Sequence, residues 1–284
     1  MDKEGVLIVG INSFLGLAIL ALVKEEYSVT GIFHNNKNRL PDNIELVQVD
    51  SIEDLKYRNY KTVYLVSSYV PGLTTPDDSM LVAANILLPS KIVQLFPNSR
   101  IVFCSSVAVY ENRPNNNIIS INEILTPISK YALSKVWGEE IIKQHRSYAI
   151  IRISSMYGVG MNEVTFLPKV ITNALINQEI VLLGDGGRMQ NYIHVKDVAK
   201  IAVMSSKHLE NMSLLAVSDK SYSNREIAEL VLQLVPGDLK LIGSDHSISN
   251  IYDNEFTHST LGRFEFTNIK EGLKELIQWI KKKS

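Results

Sequence analysis

Val6-Leu7-Ile8-Val9-Gly10-Ile11-Asn12-Ser13-Phe14-Leu15-Gly16, near the start of the chain, decides how the rest is read. Four apolar residues ending at a glycine have the length and composition of a strand buried on both faces, as in a parallel sheet. A second stretch, uncharged to Val23, follows the glycine and reads as a helix through about Glu26. Strand, glycine turn and helix together make a phosphate cradle, because backbone N–H groups and the positive helix end converge on the turn. The competing reading of Gly5 to Val23 is a signal peptide or a membrane span. Met1-Asp2-Lys3-Glu4 is no positive leader, and Asn12-Ser13 breaks the apolar run between two glycines, so a soluble strand-turn-helix is expected.

The same pattern continues. Ser28–Phe33, Glu45–Val49, Thr62–Val66, Ile101–Ser106 and Tyr148–Ile153 are short apolar runs separated by helix-length segments. This alternation predicts an α/β fold with a doubly wound parallel sheet, whose ligands sit at the carboxyl ends of the strands. Ile101-Val102-Phe103-Cys104-Ser105-Ser106 ends abruptly in hydroxyls and would deliver them to that edge. The stretch from Ser68 to Asp78 reads as a loop, with Thr75-Pro76 capping the next helix. Residues 111–129 read as a loop beside the site.

The chain has 284 residues, 45% of them hydrophobic, enough for one large core or two smaller ones. A formal charge of −1 provides no field for nucleic acid or anionic membrane, and Lys281-Lys282-Lys283 reads as a solvated end. The single cysteine excludes an intramolecular disulfide and a Cys-rich zinc site; no metal is expected, and a cytoplasmic location fits. Cys104, inside its strand run, is expected to be buried and inert.

Tyr131-Ala132-Leu133-Ser134-Lys135 places a phenol and an ammonium one helical turn apart on one face. Unperturbed, the phenol has a pKa of about 10. A cation ~4 Å away at an effective dielectric of ~20 favours the phenolate by roughly 4 kcal/mol, before desolvation takes part of it back. Such a pair can move a proton near neutrality, although a surface Tyr one turn from a surface Lys is also common.

Ser106, Tyr131 and Lys135 on this framework resemble the short-chain dehydrogenase/reductase superfamily. Ser105-Ser106-Val107-Ala108-Val109-Tyr110, with the Tyr-x-x-x-Lys spacing, is similar to its extended branch of NAD(P)-dependent nucleotide-sugar epimerases, dehydratases and reductases, from Gly5 to about Trp279. The resemblance implies a Rossmann-type dinucleotide-binding part over residues 1–160. A smaller α+β substrate-binding part would cover 161–284, with the chain crossing back to the sheet. It implies catalysis by Ser106, Tyr131 and Lys135, with Lys135 lowering the Tyr131 pKa and holding the nicotinamide ribose. Cofactor contacts are implied for Gly10, Ser13, Phe14, Leu15 and Gly16 in the first loop and for His34, Asn35, Lys37 and Arg39 after the second strand. Asp50, Ser51, Leu65, Val66, Ser67, Asn85, Ile153 and Ser154 join Tyr131 and Lys135 in that set. Substrate contacts are implied for Ser68, Ser106, Ser155, Arg188 and Gln190.

Departures from the family pattern carry information. Ser13 stands where the middle glycine belongs, narrowing the approach to the phosphates while offering a hydroxyl. No acid follows the second strand to take a ribose 2′-hydroxyl; Lys37 and Arg39 lie there instead and favour NADP(H), with NAD(H) possible. Val107-Ala108 replaces the Asp-Glu of the dehydratases, so dehydration is not expected. Ser155 replaces an asparagine, and Gln190-Asn191 replaces the Arg-Asp whose arginine pairs with the substrate diphosphate; Arg188 or Arg263 is expected to compensate. His194 reads as a packed structural residue.

The function expected is reduction of the 4-keto group of a 4-keto-6-deoxy nucleotide sugar. A C4 epimerase with retained NAD follows closely, then a reductase of simpler ketones or aldehydes. The Tyr-Lys pair argues against a cofactor-sensing regulator without chemistry. The partners expected are a small-molecule substrate and, at most, a second copy in a homodimer.

Overall fold

A computed structural model describes residues 3–72, 76–113 and 118–283. The first half runs β1 (Gly5–Val9), α1 (Phe14–Val23), β2 (Ser28–Phe33), β3 (Glu45–Gln48), β4 (Thr62–Leu65), α2 (Asp78–Val82) and α3 (Leu88–Leu95). β5 (Arg100–Ser106), β6 (Ile118–Ile119), α4 (Lys130–Lys143), β7 (Tyr148–Ile153) and β8 (Ser155–Tyr157) complete it. Then follow α5 (Phe166–Asn177), β9 (Glu179–Leu183), β10 (Met189–His194), α6 (Val195–Ser206), β11 (Met212–Ala216), β12 (Ser221–Ser223) and α7 (Asn224–Leu232). β13 (Asp238–Ile242), β14 (Ile251–Tyr252), α8 (Glu255–Leu261) and α9 (Ile269–Lys281) end the chain.

Seven strands form one sheet in the order β11-β7-β5-β4-β1-β2-β3, every pairing parallel. Strand order reverses between β1 and β4, and a crevice opens at such a point beyond the carboxyl ends. One core packs α1 and α6 on one face through Leu15, Ile19, Val198 and Ile201; a second packs α3 and α4 on the other through Ile92, Phe103 and Ile142. These are the apolar, two-sided strands expected. β11 belongs to this sheet although it follows β8, β9 and β10 in sequence.

A third core joins α5, α7 and α9 through Ile171, Ile227, Leu273 and Leu276. β10 pairs in parallel with β8 and antiparallel with β12, whereas β9 and β13 form a parallel pair. Phe14, at the start of α1, packs against both the first and the third core.

Local boundaries differ from expectation for physical reasons. α1 stops at Val23, where its buried stripe ends and Lys24 and Glu25 meet solvent. Val49 opens a 3-10 turn to Leu55 instead of extending β3, and it buries Ile52 and Leu55. The loop expected over 111–129 contains β6, paired with β14, while residues 114–117 lie outside the described residues. Thr75, the proposed cap, also lies outside them; Asp77 caps α2 by accepting from Ser79 N and Met80 N. Between α2 and α3 the helix widens into a π turn, Ala83–Leu87. Pro89 has no N–H to return to Asn85 four residues earlier, which accounts for the locally altered ladder. Among the described residues no helix is long and apolar enough to cross a membrane.

Candidate active site

The first loop has the geometry of a phosphate cradle. Gly10 takes φ +94°, and a Cβ there would lie 2.8 Å from Ser67 N, so only glycine fits. A Cβ on Gly16 would meet the Gly10 carbonyl at 2.3 Å; its absence lets α1 pack tightly on the turn. Ser13 caps α1, its Oγ accepting from Gly16 N at 3.0 Å. That uses the oxygen as acceptor and leaves the hydroxyl proton to donate.

A cleft of about 640 Å³ opens at the carboxyl ends of β1, β2 and β4. Gly10, His34, Asp50, Ser67 and Ser68, all expected at a cofactor or substrate, line it, and Tyr69, Met80, Leu87 and Lys91 were not anticipated. The glycine cradle and this cleft fit a dinucleotide, whose phosphates Gly10 and Ser13 would hold and whose adenosine side Asp50 would meet. Several residues of the expected set turn their side chains elsewhere. Leu65 and Leu15 are core residues, as their apolar character dictates, and Val66 is likewise buried. Phe14 wedges between the two cores, and Ser51 is exposed on the 3-10 turn outside the cleft lining. Asn35 and Lys37 are exposed, Asn35 accepting from Gln48 Nε2 at 3.3 Å. Arg39 turns away from the cleft with φ 60° and donates from Nη1 to the Gly160 carbonyl at 2.9 Å.

Tyr131 and Lys135 sit in the first two turns of α4, whose N-cap Ser129 accepts from Ala132 N at 3.1 Å. Glu111 ties this end down: it accepts from Ser129 Oγ at 2.9 Å and from the N–H groups of Ile128 and Ser129. The Tyr131 hydroxyl is brought beside those of Ser106 and Ser68. Burial raises the Tyr131 phenol above its ordinary value, against the pull of the Ser106 and Ser68 hydroxyls. Ser106 Oγ accepts from Ala108 N at 3.1 Å, and Ile153 lies opposite it across the β5–β7 pairing.

Lys135 is 1% exposed, and burial pushes its ammonium down to about 8, against the attraction of Cys104 and Glu139. Its Nζ donates to the Cys104 carbonyl at 2.7 Å. Lys135 thus reaches back to β5, and burial leaves the Tyr131 phenol raised where a lowered one was expected. Cys104 itself is buried, its thiol pushed up to about 12 by burial.

Behind the pair lies a buried ion pair. Arg152 Nη2 and Nε donate to Glu139 Oε2 and Oε1 at 2.7 and 3.0 Å, and Ser105 Oγ donates to the same Oε1 at 2.6 Å. Arg152 Nη1 also donates to Tyr110 Oη and, at 3.3 Å, to the Ile121 carbonyl. Ser105 therefore braces the core, leaving Ser106 as the hydroxyl at the site. Glu139 went unremarked in sequence, though its place one turn after Lys135 was the available signal.

On the substrate side, Gln190 Nε2 donates to Asn224 Oδ1 at 2.8 Å. Asn191 is 2% exposed and accepts from Ser154 Oγ at 2.8 Å and Ser218 N at 3.0 Å. The two amides thus join neighbouring segments. Ser154 is part of this web, and Ser155 is exposed on β8. Arg263 forms a surface pair with Glu255, whereas Arg188 Nε is buried and has no hydrogen-bond partner among the described residues. The Tyr192 hydroxyl is likewise buried and unpartnered; burial raises this phenol, and the Arg188 cation pulls the other way. His194 caps α6, its Nδ1 accepting from Lys196 N at 3.3 Å, and stacks edge-on to Tyr157.

A model of the NAD dependent epimerase/dehydratase family matches residues 6–214. A Methanocaldococcus jannaschii protein provisionally named a UDP-glucose 4-epimerase is 27% identical, the match covering 97% of this chain and 98% of that one. Among solved structures, UDP-N-acetylglucosamine 4-epimerase from Methanobrevibacter ruminantium, in complex with UDP-N-acetylmuramic acid, superposes with a TM-score of 0.83 at 22% identity over 100% of both chains. UDP-glucuronic acid 4-epimerase from Bacillus cereus, in complex with UDP-glucuronic acid and NAD, gives a TM-score of 0.84 at 17% identity over 99% of this chain and 100% of that one.

Proposed function

The chain belongs to the NAD dependent epimerase/dehydratase family, as an NAD(P)-dependent enzyme of the extended short-chain dehydrogenase/reductase type, and we propose that it reduces the 4-keto group of a 4-keto-6-deoxy nucleotide sugar. The observation that carries this reading is Tyr131: a phenol kept protonated by burial, beside the Ser106 hydroxyl at the carboxyl end of β5. A nicotinamide, when bound, supplies the hydride. Ser106 donates a hydrogen bond to the ketone oxygen, and Tyr131 Oη gives that oxygen its proton as charge develops there. Lys135, aimed by the Cys104 carbonyl, would hold the nicotinamide ribose. Val107-Ala108, where the dehydratases carry Asp-Glu, argues against loss of a hydroxyl.

For the cofactor we favour NAD(H). The preference for NADP(H) expected from Lys37 and Arg39 now rests on Lys37, because Arg39 is engaged by Gly160. For the substrate diphosphate the cation is Arg188, whose buried Nε has no partner among the described residues. We keep the division of labour at 1–160 and 161–284, and a cytoplasmic location, as parts of this proposal.

A second reading, C4 epimerisation with retained NAD, draws on the whole-length likeness to the M. jannaschii protein. Purified protein assayed against dTDP-, UDP-, GDP- and CDP-linked 4-keto-6-deoxy sugars with NADH separates the two. NADH consumption with one of these is the expected result. Tightly held NAD and interconversion of C4 epimers without added cofactor would establish the second reading instead. Equal turnover of simple ketones or aldehydes would remove the nucleotide sugar altogether.

A further inference from the structure

Asn12, inside the glycine turn, directs its amide at the protein itself. Its Nδ2 donates to the Asn36 carbonyl at 2.6 Å and to the Asn38 carbonyl at 3.2 Å. An amide nitrogen carries two hydrogens, so both are committed and none is left for a phosphate. The flipped amide would set Oδ1 against two carbonyls that cannot donate, so the sense of the contact is fixed.

Both carbonyls belong to the loop that leaves β2. Asn36 Oδ1 accepts from Asn38 N at 2.8 Å, an Asx turn that folds the loop on itself. Asn35 Oδ1 accepts from Gln48 Nε2 at 3.3 Å, and Arg39 reaches the Gly160 carbonyl. Residues 34–39 are all exposed, so these hydrogen bonds, rather than burial, hold the stretch. The turn and β2 are already joined one step earlier, where Gly10 N and Ile11 N both donate to the Ile32 carbonyl, at 2.8 and 3.0 Å. Asn12 carries that attachment outward from the strand into the loop.

In a doubly wound sheet the adenosine ribose of a dinucleotide lies between the glycine turn and the loop after the second strand. No acid stands in residues 34–39 to reach for a ribose hydroxyl, and His34, the first of them, lines the cleft. The shape of the loop therefore has to make the seat.

We propose that Asn12 is a positioning residue for the cofactor: by holding the Asn36 and Asn38 carbonyls against the glycine turn, it keeps the loop after β2 folded as the wall that the adenosine ribose meets. A loop already folded loses little conformational freedom when the cofactor arrives, and the difference appears as affinity. The inference rests on the dinucleotide reading of the cleft and holds whether a ketone is reduced or an epimer formed. Ser106, Tyr131 and Lys135 lie on β5 and α4, so the role belongs to binding and not to proton transfer.

The test pairs two measurements on Asn12→Ala. Fluorescence titration should give a Kd for NADH raised about tenfold, the scale of one to two net hydrogen bonds, and ADP-ribose in competition should weaken by the same factor. Reduced nicotinamide mononucleotide, which has a phosphate and no adenosine, should bind the variant and the native protein alike. Without cofactor, trypsin should cut after Lys37, between the two held carbonyls, about tenfold faster in the variant, because cleavage follows the population of the opened loop. Fragments 1–37 and 38–284 identify that cut. Asn12→Ser, with one donor hydrogen in place of two, serves if the alanine variant does not fold. Unchanged NADH affinity in a folded variant overturns the proposal. Weaker NADH with unchanged cleavage also overturns it, since Asn12 would then be a direct ligand. Equal weakening of the mononucleotide does so too, by making Asn12 a residue of general structure. Native protein that binds no dinucleotide would remove the cofactor reading itself, whereas native binding that Asn12→Ala leaves intact removes only the strap.

Discussion

Lys135 Nζ donates to the Cys104 carbonyl at 2.7 Å and lies 4.8 Å over the Phe103 ring, so α4 is bolted to β5 by its own catalytic-type lysine. A cation held this way inside the protein bears a desolvation penalty that an exposed lysine would not.

That penalty has a sign that can be measured. Unfolded, lysine titrates near ~10.4, whereas burial brings folded Lys135 down to about 8. Between those values the unfolded chain binds more protons, so the Lys135 contribution to stability improves as pH rises. Below about 8 the penalty is present in full. Lys135→Met should therefore compare best with the native protein at pH 7 and lose ground as the pH is raised toward 10. Melting temperatures of both proteins across that range give the comparison; a flat difference would mean the ammonium bears no such burden.

Tyr131→Phe and Lys135→Met should each lower turnover by at least about tenfold, the low end of what a positioned acid or base contributes. Circular dichroism should show both folded. A phenylalanine variant with near-native turnover on its own substrate would remove Tyr131 from the mechanism.

Glu139 and Arg152 should matter to stability rather than to ligand affinity. Their side chains are 0% and 5% exposed, and removing one partner strands a buried charge. Glu139→Leu should cost about 3–5 kcal/mol in denaturant unfolding, and adding Arg152→Met should recover part of it. If the double variant is no better than the single one, the loss comes from packing.

Fluorescence titration should give tighter binding of NADH than of NADPH. Arg39→Ala should leave the ratio of the two affinities within about twofold, since the guanidinium holds the Gly160 carbonyl. A clear NADPH preference abolished by that substitution would return Arg39 to the ribose.

Arg188→Ala should raise KM for the sugar nucleotide about tenfold or more, the scale of a hydrogen bond to a charged group, and leave NADH affinity unchanged. Unaltered KM would mean that the diphosphate is held by other groups.

β2 and β7 were legible to the residue because runs buried on both faces leave no ambiguity between strand and surface. The glycine loop was legible for a related reason: Gly10 and Gly16 occupy places where any Cβ collides with backbone. Direction was harder. Leu15 and Leu65 belong to segments that reach the site, yet their side chains enter the core, as apolar groups do when either side is open to them. Arg39 donates to a carbonyl more than a hundred residues away, which no local spacing encodes. Lys135 met a backbone acceptor, and any residue at 104 would supply one.

Phe14 has one consequence for the whole molecule. Its ring belongs at once to the core under the sheet and to the core of the C-terminal helices, with Gly158 leaving room for it. Neither half can melt away without stripping an aromatic face from the other, so the chain should lose its structure in a single calorimetric transition. Because that ring begins the helix that caps the phosphate cradle, anything that tightens the cradle also raises the thermal resistance of the far half of the protein.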